Sequence, residues 1–206
     1  LVARKRRDLL LIVAWPMVLL FVYAWRLPRV YQYGRYLMPM LPFLILLGCW
    51  GLTELRSKIN MRLLATVYPG AVALLTALTW VRGASAYASD VQYIQTFQVA
   101  TSLWLRDNTP LDALVATHDI GAIGYFSGRR VLDSAGLVTP QVLPLLNDQP
   151  RLLAYLKEQR VAYVVQFPIW YPLISRDLAD REVFRVRDEK VTAEGGDDFV
   201  VYRTGW

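Results

Sequence analysis

Three long uncharged runs dominate the first 89 residues, and each is bracketed by basic side chains. Leu9–Trp25 holds 17 uncharged residues behind Arg4, Lys5, Arg6 and Arg7, Tyr36–Thr53 holds 18, and Leu63–Val81 holds 19. A hydrocarbon core of ~30 Å calls for about 20 mostly apolar helical residues, so the pattern predicts membrane spans at about 9–25, 36–53 and 63–81. Pro16 and the Pro69-Gly70 pair are expected to kink the first and third, which spans tolerate when packed against neighbours. Pro39 and Pro42 fall in the first two turns of the second, where a missing N–H costs least. The first run fits a span better than a secretory leader. It is too long, it ends in Tyr23 and Trp25, and Arg26 follows where a small-residue cleavage site would be needed.

Beyond Val81 the pattern shortens. Ser89 with Gln92 three positions on reads as a capping box opening a helix over about 90–107, with Tyr93, Ile94, Phe97, Ala100 and Trp104 on one face. Strands are predicted at Ala113–Thr117, Arg130–Asp133, Val161–Phe167, Val183–Arg187 and Phe199–Arg203, the last two around a Gly195-Gly196 turn. Between them, His118–Gly128 reads as a turn and short helix. Thr139-Pro140 opens a small helix, with Thr139 as its cap, and Pro150 starts another. Strands alternating with helices predict a small α/β domain with a largely parallel sheet over 90–206. Residues 1–89 form the transmembrane region.

Charge sharpens this division. Residues 1–89 carry 11 Lys/Arg against Asp8 and Glu54, a net +9, whereas residues 90–206 carry 12 Lys/Arg against 15 Asp/Glu, a net −3. Basic residues flanking apolar runs suit topology signals and anionic headgroups rather than nucleic acid, for which no motif is present. Arg4–Arg7 with Arg56, Lys58 and Arg62 outweigh Arg26, Arg29, Arg35 and Arg82, so the first set is expected in the cytoplasm. The chain is then a multi-pass protein of the cell membrane with its α/β domain outside the cytoplasm. Cys49 is the only cysteine and His118 the only histidine; no metal site and no cofactor is expected. The chain opens on Leu1, and we expect it to be part of a longer protein.

Two places invite chemistry. His118 and Asp119 follow the first predicted strand, at the carboxyl end of a sheet where ligands favour open α/β folds, and Asp133 can line the same crevice. An aspartate after a strand also serves as a helix cap. Gly121, Gly124 and Gly128 lack the spacing of a dinucleotide loop or a P-loop. Trp170-Tyr171-Pro172 suits a membrane surface, a partner or an internal turn, and Arg129-Arg130 reads as a solvated pair. The second place is Arg35, which with Tyr23, Tyr31, Tyr33 and Tyr36 stands at the mouth of the second run, on the side where positive charge is disfavoured. A guanidinium there can hold a lipid-linked phosphate through two-point contacts, or it can simply snorkel as an interface anchor.

The order of RYLMPMLPFLILLG, a further span, WLRDNTPLDALVATHDIGAIGYFSGRRVLDSAGL and VAYVVQF resembles the C-terminal part of bacterial polytopic glycosyltransferases of the GT-C type. Those related to glycosyltransferase family 39, the protein mannosyltransferase-like enzymes, are closest. The resemblance covers nearly the whole chain and implies transfer of a sugar from a polyprenyl-phosphate donor outside the cytoplasm, with inversion. It also implies that the acidic catalytic residues lie in the first outer loop of the full protein. Nothing in residues 1–89 matches them, so this portion is expected to lack the catalytic base. What carries over is Arg35, with Tyr36, as part of the donor-phosphate region; His118 and Asp119 carry over as outer-domain features without an assigned role. The partners implied are membrane lipids, the polyprenyl-phosphate sugar donor and the remaining N-terminal spans. The other reading is a non-enzymatic, membrane-anchored binding or sensor module.

Overall fold

The structure, a computed structural model, describes residues 2–26, 32–55, 61–189 and 197–206. The chain divides into two compact units, Leu1–Thr79 and Trp80–Trp206. The expected Gly195-Gly196 turn, Arg29 and Tyr31 lie outside the described residues.

The first unit is helical. Helix α1, Val2–Arg26, runs through Pro16. A 3-10 helix, Gln32–Met40, leads into α2, Leu41–Leu55. Pro39 lies one residue before the end of the 3-10 segment and Pro42 is the second residue of α2, so neither falls in the interior of an α-helix. Trp15 of α1 faces Phe43 of α2 with ring centroids 6.2 Å apart, and Tyr23 faces Tyr36 at 6.3 Å. Among the described residues one helical stretch is long and apolar enough to cross a membrane. It is Gly34–Glu54, 21 residues of mean hydropathy 1.6, and Leu10–Arg26 is a shorter apolar helix. The third apolar run lies within α3, Met61–Ile94, and the boundary between the two units falls inside that helix.

The predicted helix start at Ser89 is not there. Helix α3 passes through it, and the Ser89 hydroxyl donates back to the Ser85 carbonyl at 3.2 Å instead of capping. The helix changes pitch six residues later, in a π turn at Gln95–Val99, and continues as α4, Ala100–Asn108.

Five strands follow: β1 Leu114–Thr117, β2 Arg130–Asp133, β3 Tyr163–Gln166, β4 Glu182–Val186 and β5 Phe199–Arg203. They form one sheet in the order β2-β1-β3-β5-β4. The β1–β2 and β1–β3 pairs are parallel, whereas β3–β5 and β4–β5 are antiparallel. The sheet is therefore mixed, not largely parallel. The second half of the chain turns back on itself through β4 and β5 instead of crossing over through another helix.

Alternation along the strands separates two apolar layers. Val115, Tyr163, Val165, Phe199 and Val201 face Phe97 of the π turn, Leu105 of α4 and Ile123 of α5, Ile120–Ser127. Ala116, Val164, Val200 and Tyr202 face the other way. They meet Val142 of a 3-10 turn, Pro140–Leu145, Leu152 and Leu156 of α6, Gln149–Glu158, and Ile174 of α7, Pro172–Asp177. Asp148 caps α6, accepting from Arg151 N at 3.1 Å.

Arg129 corrects another expectation. It is only 7 % exposed. Its guanidinium donates to Thr109 Oγ1 at 3.0 Å, to the Ser127 carbonyl at 2.9 Å, and to the carbonyls of Arg106 and Thr109 at 2.6 and 2.8 Å. The helix ends that α4 and α5 would otherwise leave unsatisfied are thus tied together by one planar cation.

Candidate functional site

The chain leaves β1 for β2 through α5 on one layer and returns past β1 to β3 through α6 on the opposite layer. The carboxyl ends of β1 and β3 therefore flank a topological switch point, where diverging connections leave a crevice. His118 and Asp119 come off β1 there, and Phe167, Trp170 and Tyr171 come off β3.

His118 is surrounded by rings. Trp170 lies 4.6 Å from it, Phe167 5.6 Å, Tyr171 5.9 Å and Phe199 6.1 Å, centroid to centroid. Both imidazole nitrogens are buried without a protein hydrogen-bond partner. Burial lowers the imidazole pKa below its ordinary value, and the nearby Asp119 and Asp133 charges only partly oppose this. At neutral pH His118 is thus uncharged, with one nitrogen able to accept and one to donate. Trp170 remains 57 % exposed, so the imidazole sits just beneath an aromatic lid.

Asp119 occupies the N-cap position of α5, but its side chain makes no cap bond. Instead it accepts from Gln98 Nε2 at 2.7 Å, while its own N–H donates to Thr117 Oγ1 at 3.2 Å. Gln98 is presented by the π turn, an irregularity that recurs at functional sites. Gln98 is 2 % exposed with its Oε1 unpartnered, and one turn on the hydroxyl of fully buried Thr101 is unpartnered too. Burial, with a smaller contribution from Asp119, pushes the Tyr93 phenol pKa up. Polar atoms buried without partners are uncommon and call for a reason beyond packing.

Asp133 does not offer its carboxylate to the crevice. It is fully buried, and its two oxygens accept from the N–H groups of Ala135 and Val138 at 2.8 and 2.7 Å. Its role is to shape the turn after β2. Gly136 in that turn has φ +79°, and an added Cβ would come within 2.7 Å of Leu143 Cδ2. The tight turn, and not a metal, accounts for Asp133. Among the described residues no group of three or more His, Cys, Asp or Glu side chains is placed to hold a metal ion.

In the first unit, Arg35 and Tyr36 are both exposed. Arg35 Nη2 donates to the Tyr36 hydroxyl at 3.1 Å, and the guanidinium carbon lies 5.1 Å from the same ring. The pair stands at the first turn of the apolar stretch Gly34–Glu54, in the 3-10 helix Gln32–Met40, just after Gly34 with φ +72°. That contact uses one of the guanidinium's five N–H donors.

A cavity of about 420 Å³ opens at the other end of the strands, beside Asp112, Arg130, Gln159 and Arg160. Its charged side chains are exposed and no buried polar group is aimed into it. The His118 crevice, with its orphaned nitrogens, is the better candidate. The sequence reading found His118 and Asp119 but missed Gln98, Thr101 and the aromatic ring set. A π turn has no residue signature, and Phe199 reaches His118 through antiparallel pairing from 81 positions away.

Residues 85–202 match the family described as Domain of unknown function (DUF8728), a stretch that takes in the end of α3 and the sheet. No curated protein and no solved structure matches the chain.

Proposed function

We propose that this chain, which belongs to the DUF8728 family, is the C-terminal portion of a polytopic glycosyltransferase using a polyprenyl-phosphate-linked sugar donor. In this reading runs 9–25, 36–53 and 63–81 span the cell membrane, the α/β domain lies outside the cytoplasm, and the catalytic base is supplied by N-terminal spans. The observation that carries it is the exposed Arg35–Tyr36 pair at the mouth of Gly34–Glu54. A lipid-linked phosphate lies at headgroup depth, and a guanidinium there matches it with two parallel N–H donors. The resemblance in motif order adds to this.

Binding of polyprenyl phosphate to the purified chain in detergent tests the reading. Lysine keeps the charge and the capacity to snorkel but loses the planar fork. A charge-assisted hydrogen bond contributes roughly 1.5–3 kcal/mol, so Arg35→Lys should weaken binding about ten- to a hundredfold, with Arg26→Lys close to wild type. Equal affinity in Arg35→Lys would return Arg35 to the role of interface anchor.

A second reading, a membrane-anchored binding or sensor module, is favoured by the His118 crevice. A switch-point cleft with unpartnered polar atoms is a recognition site in its own right. Loss of a crevice ligand on His118→Phe, with polyprenyl-phosphate binding absent altogether, would support it over the transferase.

A further inference from the structure

The α/β domain is polarised along its strands. All three connections that leave the parallel strands at their carboxyl ends are free of charge from residue 120 to 128, from 134 to 147 and from 167 to 175. They expose large apolar side chains: Leu137 is 78 % exposed, Val138 66 %, Ile169 64 % and Trp170 57 %. Two of these connections touch, since the Tyr171 hydroxyl donates to the Ser134 carbonyl at 3.5 Å. The opposite end of the same strands carries Asp112, Arg130, Glu158, Arg160, Glu182 and Arg203. At the carboxyl end the described charges are Asp119, which is held by Gln98, Asp197, whose carboxylate accepts from Ile169 N at 2.5 Å, and the cluster beside β4 and β5 in which Arg185 and Arg187 share Asp198.

We infer that this charge-poor, apolar end of the sheet rests in the interfacial layer of a lipid bilayer, so that the His118 crevice opens onto the headgroups. Three features favour lipid as the occupant. An apolar surface of this kind marks an interaction site. Trp170 and Tyr171 offer the amphipathic rings that settle at membrane–water boundaries. The same polypeptide carries Gly34–Glu54, apolar and long enough to hold the domain at a bilayer. A charge-poor surface also costs less to desolvate than the charged end would. The inference rests on the reading of Gly34–Glu54 as a span.

The whole chain, with Cys49→Ala, is reconstituted in phosphatidylcholine vesicles with and without nitroxide-labelled lipid. An environment-sensitive fluorophore is attached at Ile169→Cys, at Leu137→Cys, or at Glu158→Cys on the charged end. Emission from 169 and 137 should shift to the blue and be quenched by the nitroxide lipid, and emission from 158 should do neither. Blue-shifted but unquenched emission would place protein against the surface and overturn the lipid assignment. Emission from 169 and 137 like that of 158 would overturn it as well. A chain that does not float with the vesicles removes the span reading too, which separates the two failures.

Discussion

A neutral imidazole among four aromatic rings is stable only while it stays neutral. Charging His118 would place a cation among Phe167, Trp170, Tyr171 and Phe199 with no protein acceptor on either nitrogen. Burial therefore depresses its folded-state pKa below the ordinary 6.5. In the unfolded chain the same group takes up a proton near that ordinary value. The stability it permits is complete above the unfolded pKa and is lost as pH falls through it towards the depressed folded value. Because His118 is the only histidine, its ring carbon signals in an NMR titration need no assignment, provided the chain is purified without a histidine tag. The expected midpoint lies below the ordinary imidazole value. A midpoint at or above it would mean that the aromatic enclosure opens in solution. His118 and Asp119 were legible because they follow a β-branched run, where the carboxyl end of a strand must lie. Their partners were not, because Gln98 reaches Asp119 across 21 positions through a change of helical pitch.

At the scale of elements, α4 and α5 are joined by a group that the sequence presents as an ordinary surface arginine. Arg129 satisfies carbonyls of Arg106, Thr109 and Ser127 in a setting that is 7 % exposed. Replacing it by Met keeps much of the aliphatic bulk but leaves those carbonyls without their donor. Hydrogen bonds to charged groups contribute about 1.5–3 kcal/mol each, and they are not additive, so Arg129→Met should lower local stability by at least about 2 kcal/mol. Hydrogen exchange of the β1 and β3 amides in the whole chain reads this directly, as exchange roughly 30-fold faster. Unchanged protection would make the arginine cluster ornamental. Arg129→Lys, with a point charge in place of the fork, should fall between the two. The strands themselves were more legible. Arg130–Asp133 and Phe199–Arg203 stand where the apolar runs put them. Ser89 was misread because serine followed by glutamine is also tolerated inside a helix, where the hydroxyl bonds back to the preceding turn.

At the scale of the molecule, alternating strands and helices announced an α/β domain but not its pairing. Nothing local distinguishes a crossover from a return, so the antiparallel seam between β3 and β5 could be seen only once both strands were placed. That seam brings Phe199 to the His118 crevice. Polarity along the chain was plainer: the net +9 before Asp90 and −3 from Asp90 onward mark a boundary close to the start of the DUF8728 match at residue 85. The same asymmetry fixes the expected orientation. Seven cationic residues at 4–7 and 56–62 oppose four at 26–35 and 82, and under the proposed membrane reading the richer side is the cytoplasmic one. In a Cys49→Ala background, a cysteine at Ser89 should then react with a membrane-impermeant thiol reagent on intact cells, and one at Ser57 should react only after the cells are opened. Labelling of Ser57→Cys alone would invert the chain and put the α/β domain in the cytoplasm. It would also remove Arg35 from the side on which a lipid-linked donor is used. Labelling of both would mean that no bilayer separates them, and the third run would then be a soluble helix within α3 instead of a span.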